Sequence, residues 1–301
     1  MKSTMSSTHS LENLKHYHNE AIQFFGAELI LLQEAIPKIT DERIAKTATL
    51  LISGKQTGAA LIQLATQVEC FSSEVAMLAR SFMETVTNFC YASVCDAKEY
   101  RTFILHPIYK YYFKVGTSLK EGIDNYETYR EHADAIKKKR EKLKEIPIVQ
   151  EALTIFSETK PNLSWSKKSL NERIKVLEEW GKLLDVFFSL NKIQYYSDAS
   201  EALHGSLYGC TYDIGTFDPD FDHTNKEELY KKLYKDEACM ILYLGTLIHE
   251  SLTLIKYSND ISDIWDYSYK NRGLALNLLS HIQEINPTEV LDTYFQAKVS
   301  K

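Results

Sequence analysis

The sequence predicts an all-α protein, a bundle of roughly seven to nine helices with no significant sheet. Glycine (11) and proline (6) are scarce in 301 residues, so few of the tight turns a β-sandwich needs can be written. Apolar residues recur in steps of three and four along much of the chain, and no segment shows the period of two expected of a half-buried strand. Hydrophobic residues make up 44% and charged residues 25%, the ordinary balance of a chain that folds around a core. One helical domain over residues 10–301 is expected, after a disordered start at 1–9.

The first helix is written by Leu11, Leu14, His18, Ile22, Phe25, Leu29, Leu32 and Ile36, an amphipathic stripe stopped at Pro37. His18 sits in the stripe, where a packed core histidine is the ordinary reading and a metal ligand the alternative. A second helix starts at Thr40 or Asp41, whose anion suits the helix dipole, and Gly54 and Gly58 are candidate breaks in it. SGKQTG within it lacks the order and the strand–helix setting of a phosphate loop. A third helix runs from Gly58 or Val68 to Cys95. A tyrosine-rich segment (Tyr100, Tyr109, Tyr111, Tyr112) follows, interrupted by Pro107. Residues 137–144, KKKREKLK, carry six basic side chains in eight. With Glu131, Asp134, Glu141 and Glu145 around them they read as a solvated helix face, with an RNA or protein partner as the alternative. Ser169-x-x-Glu172 reads as a capping box opening a helix through Trp180, Leu184 and Phe188, and Thr224-x-x-Glu227 as a second box before Leu229, Leu233, Met240, Leu244 and Leu247.

A net charge of −6 excludes a nucleic-acid binder that works by bulk charge, though not one that uses a local patch. The five cysteines (Cys70, Cys90, Cys95, Cys210, Cys239) have no CxxC pairing and no histidine at zinc-finger spacing. They read as small core residues of a reducing compartment, outside any disulfide or zinc site. MKSTMSSTHS lacks the apolar stretch of a signal peptide. The most apolar run, Met240 to Ile255, is interrupted by His249, Glu250 and Ser251 and is too short to span a bilayer. A cytoplasmic protein without membrane contact is expected.

Asp218-x-Asp220-x-Asp222 begins like a calcium loop, but His223 stands where the glycine belongs and Leu229 where the glutamate belongs. Two polar ladders are more informative. Arg80, Glu84 and Asn88 repeat every four residues among Leu78, Phe82, Met83 and Phe89, which places them on one helix face. Tyr196, Ser200 and His204 repeat at the same spacing, with Ser206 just beyond. An ion pair on an apolar helix needs polar company, because desolvating an ion costs several kcal/mol. The expectation is therefore that the two ladders face each other. They then form either a hydrogen-bond network that sets helix register or a site in which Arg80 holds an anion and His204 exchanges protons.

LARSFMETVTNFCY and YSDASEALHGSLYG resemble the two signature segments of a prokaryotic helical family, the domain of unknown function numbered 5677. Its approximate pattern is L-x-R-x-x-x-E-x-x-x-N followed by Y-x-x-x-S-x-x-x-H-[GP]-S. Arg80, Glu84 and Asn88 fill the first segment; Tyr196, Ser200, His204, Gly205 and Ser206 fill the second. The resemblance covers about residues 55–215 and implies a helical fold. A looser similarity is to the HEPN ribonucleases (higher eukaryotes and prokaryotes nucleotide-binding), helical proteins of prokaryotic defence and toxin systems. Their motif R-[polar]-x(3–5)-H is met in spacing by Arg101, Thr102 and His106, although Thr102 stands where Asn, Asp or His is usual and Pro107 follows at once.

Two functions follow as expectations. One is a non-catalytic helical module that binds a partner or small ligand through the Arg/Glu/Tyr/Ser/His cluster. The other is a HEPN-like, metal-independent endoribonuclease or toxin-type effector of anti-phage defence. In that case Arg80, Glu84 and His204 are catalytic and Asn88, Tyr196, Ser200 and Ser206 bind, with Arg101 and His106 as a weaker alternative. Neither reading needs a cofactor or a metal. The expected partners are a protein or RNA on Lys137, Lys138, Lys139 and Arg140, or a second copy in a homodimer.

Overall fold

The computed structural model describes residues 9–117, 127–156, 164–180 and 224–284. Among the described residues there are nine α-helices and no strand. They are α1 (Leu11–Ala35), α2 (Glu42–Ala65), α3 (Val68–Val94), α4 (Ala97–Thr117), α5 (Glu127–Lys144), α6 (Pro147–Ile155), α7 (Leu170–Glu178), α8 (Lys226–Lys256) and α9 (Ser262–Gln283). The chain divides into two compact units, one of Met1–Ser93 with Glu172–Lys301 and one of Val94–Asn171.

In the first unit α1 begins where Ser10 accepts a hydrogen bond from the backbone N–H of Asn13. Its stripe packs mainly on α8 and then on α9 and α2. From Glu237 to Leu252 every residue of α8 is buried, the pattern of a helix enclosed on all sides. This is the one described helix long and apolar enough to cross a membrane, and 94% of its apolar window is buried inside the protein. Its cap is Asn225, which accepts from the N–H of Glu228, one residue beyond the expected Thr224 box. Asn259, in the turn before α9, accepts from the backbone N–H groups of Thr40 and Asp41 at 2.6 and 3.1 Å, and so ties α8 to the start of α2. His9 Nε2 donates to the carbonyl of His281 at 2.8 Å, and residues 1–8 lie outside the described residues.

The glycines of α2 do not break it. Gly58 lies where an added Cβ would meet Leu29 at 3.0 Å and Phe25 at 3.2 Å, so the missing side chain lets α1 approach. Gly245 does the same on α8, where a Cβ would stand 2.2 Å from Cε1 of Phe24. Gly245→Ala is therefore expected to lose up to about 2 kcal/mol: overpacking costs about 1–3 kcal/mol and helix propensity returns about 1. Thermal melts should show a drop of a few degrees, and a rise would disprove the close approach.

The second unit is built on Leu105, Tyr109, Ala152 and Phe156, with Ile108, Phe113 and Leu153 at its margin. Pro107 does not interrupt α4, which continues to Thr117. A proline inside a helix costs about 3 kcal/mol. Leu105, Tyr109 and Tyr112, all fully buried, anchor the helix on either side of it. Glu99 binds Lys168 at 2.7 Å and accepts from Ser166, closing the segment that leads to α7. That helix stops at Glu178 and turns at Glu179–Trp180; Leu184 and Phe188 lie outside the described residues.

Candidate functional site

α3 is amphipathic in the sense its sequence demands. Ala79, Phe82, Met83, Val86, Phe89 and Cys90 are buried, and the step of four sets Arg80, Glu84 and Asn88 in line along a half-buried margin. Arg80 Nε donates to Glu84 Oε1 at 3.2 Å, with the two side chains 16% and 40% exposed. Asn88 Oδ1 accepts from the guanidinium of Arg173 on α7. Two separate pairs therefore lie along this margin, Arg80 with Glu84 and Arg173 with Asn88. Tyr196, Ser200, His204 and Ser206 lie outside the described residues, as do Cys210 and the aspartates at 218, 220 and 222.

Arg101 and His106 have different partners. Five residues along a helix turn about 140° around its axis. Arg101 forms a two-point ion pair with Glu151 at 2.7 and 2.5 Å, while the His106 ring packs at 5.4 Å from Phe156 and 6.2 Å from Tyr109. The pair with Glu151 holds Arg101 above the usual guanidinium range and Glu151 below the usual carboxylate range. On α5, Lys137, Lys138 and Lys139 are exposed and Arg140 is half-buried.

A second polar assembly, where α1, α8 and α9 meet, was not foreseen in the sequence. Ser268 Oγ donates to Glu28 Oε2 at 2.5 Å and bonds His249 Nδ1 at 2.9 Å, while Asn271 donates to Glu28 Oε1 at 3.1 Å. Glu28 and Ser268 are fully buried and His249 is 1% exposed. Among the described residues no cation lies within ion-pair distance of Glu28. Burial therefore pushes its carboxyl up to about 7, against the pull of Ser268 and Asn271. Burial, with the charges of Arg272 and Lys256, pushes His249 down to about 3. Next to it Arg272 Nη1 donates to Glu250 Oε1 at 2.8 Å, and burial raises Glu250 against that guanidinium's pull.

Ser268 bonds both imidazole and carboxyl, and all three groups are enclosed. The arrangement is a buried hydrogen-bonded chain, in contrast to a triad whose serine faces substrate. When Glu28 is ionised, His249 Nδ1–H can donate to Ser268, whose hydroxyl donates to the carboxylate. When Glu28 is protonated the hydroxyl can turn to donate to Nδ1. Farther along α8, His18 Nε2 donates to Glu237 Oε1 at 2.9 Å, so the histidine of the α1 stripe is a buried structural partner. The sequence did carry a signal for these residues: His249, Glu250 and Ser251 stand mid-run in the most apolar segment, and Glu28 lies between Phe25 and Leu32 on the α1 stripe. Metal-ligand clustering of three or more His, Cys, Asp or Glu side chains is not found among the described residues.

Fold and site together define an all-helical protein with a half-buried arginine–carboxylate strip on one helix and a buried hydrogen-bond network where α1, α8 and α9 meet. The chain belongs to the family of unknown function DUF5677, whose profile matches residues 50–224. No curated protein and no solved structure matches it. The matched segment includes the α3 strip and α7, whereas Glu28, His249, Ser268 and Arg272 lie outside it.

Proposed function

We propose that the chain is a cytoplasmic helical binding module that receives a phosphate or carboxylate group of a small ligand or partner on the α3 strip. The observation that carries this reading is a pair of guanidinium groups held along the half-buried margin of α3, Arg80 by Glu84 and, farther along, Arg173 of α7 by Asn88. A guanidinium presents a planar fork of donors that matches the oxygens of carboxylate and phosphate. Glu84 orients Arg80, and partial burial strengthens attraction to an anion relative to open solvent. These groups bind and orient, which favours recognition over chemistry.

The test is a set of thermal melts with nucleotides, sugar phosphates and dicarboxylates. A ligand present at a hundred times its Kd adds about 2.7 kcal/mol. At least one anionic compound is expected to raise the Tm of wild type but not that of Arg80→Ala. No shift with any compound, or an equal shift in the variant, would refute the reading.

A metal-independent endoribonuclease or toxin-type effector of prokaryotic defence is the second reading. Arg80, held by Glu84, would steady a phosphodiester while His204 moves a proton. Expression of wild type beside His204→Ala separates the two. Growth arrest and RNA fragmentation that vanish in the variant, at unchanged Tm, would move the assignment from binding to cleavage.

A further inference from the structure

We propose that the face shared by α4 and α5 is a docking surface for single-stranded RNA. This does not rest on the α3 strip, and its test reads different residues. Residues 137–144 hold six cations and one carboxylate, a local +5, in a chain whose total is −6. The rest of the chain therefore sums to −11, and this short helical segment opposes the sign of everything else. Lys137, Lys138, Lys139, Lys142 and Lys144 are exposed, with Glu141 and Glu145 as their acidic neighbours. Positions 138, 139 and 142 fall within an arc of about 100° on the helix, so three of the cations form one stripe.

The stripe is bordered by aromatic rings. Lys139 Nζ lies 5.6 Å from the ring centre of Tyr111, which is 51% exposed. The guanidinium of Arg140 lies 4.7 Å from the ring of the buried Tyr112 and pins α5 to α4. Cations that track a phosphate backbone beside a ring on which a base can stack are what sequence-tolerant single-strand binding requires. An anionic membrane fits less well, because an interfacial helix needs an apolar face to insert. The α5 sequence ETYREHADAIKKKREKLK has only a few scattered apolar residues. Ile146 and Ile148, 43% and 38% exposed after α5, are the apolar groups that make a vesicle control necessary.

The experiment titrates the full chain into a fluorescent, unstructured 20-nucleotide RNA at 50 and 200 mM salt, with phosphatidylserine vesicles as a parallel arm. With three to five phosphates neutralised, affinity should fall roughly 20- to 100-fold between the two salts. Lys138→Ala/Lys139→Ala/Lys142→Ala should weaken binding at least about tenfold and flatten the salt dependence. Tyr111→Ala should weaken it while leaving the salt slope unchanged. Unchanged Tm in both variants shows that the fold is intact. No binding at 50 mM salt, undiminished binding by the triple variant, or capture by the vesicles in preference to RNA would overturn the proposal.

Discussion

Glu28→Gln is expected to change stability little at pH 4.5 and to raise it, relative to wild type, by about 3 kcal/mol at pH 8. In the unfolded chain Glu28 releases its proton near the ordinary value of 4.5, whereas in the fold it holds the proton up to about 7. Its contribution to wild-type stability is thus full below pH 4.5 and lost as pH rises through about 7. Glutamine keeps the shape, accepts from Asn271, donates to Ser268 and does not titrate. His249 works with the opposite sign. Its folded value of about 3 lies below the ordinary 6.5, so its contribution is lost as pH falls below 6.5. Their pH dependences run in opposite directions near pH 6 in wild type, so the difference between wild type and variant is the quantity to measure. Urea midpoints at pH 4.5, 6 and 8 decide it, and parallel profiles would show that Glu28 does not hold its proton in the fold.

Arg272→Ala should cost about 3–5 kcal/mol at pH 8, the usual result of stripping one partner from a buried ion pair. The side chain of Glu250 is only 4% exposed, and its guanidinium partner lies 2.8 Å away. Burial already brings Glu250 up to about 7 despite that partner. Once the partner is gone, the carboxyl is neutral over more of the pH range, so the loss should shrink at pH 5. The double variant Glu250→Gln/Arg272→Met should recover most of the stability, because both members of the pair are then neutral. A loss under 1 kcal/mol for the single variant, or no recovery in the double, would show that the pair is not what holds α8 to α9.

The helical class was legible because amphipathic periodicity is a local property, and the α1 stripe from Leu14 to Leu32 is buried as its spacing demands. Arg80 and Glu84 were legible as a pair for the same reason, since one turn of helix brings them together. Glycine and proline misled where tertiary contacts override local preference: Gly58 admits α1, and Pro107 stays helical between anchored turns. Partners distant in sequence were not legible. Glu28 meets Ser268 across 240 positions, and no local pattern names a serine on α9 as the recipient of a charge on α1. Arg173 as the donor to Asn88, 85 positions away, was hidden for the same reason.

The enclosure of α8 has a consequence for biosynthesis. The α1 stripe finds its main cover in a helix that begins at Lys226, and His18 meets Glu237 across 219 positions. At about 5–20 residues per second on the ribosome, the apolar face of α1 stays uncovered for roughly ten to forty seconds after it emerges. α2 can shield part of it early, because Gly58 admits Leu29 and Phe25 at close range. The first unit nevertheless cannot close until α8, about 190 residues after α1, has been made. Nascent chains released before α8 present the α1 stripe to chaperones and proteases, which makes this fold sensitive to truncation ahead of α8.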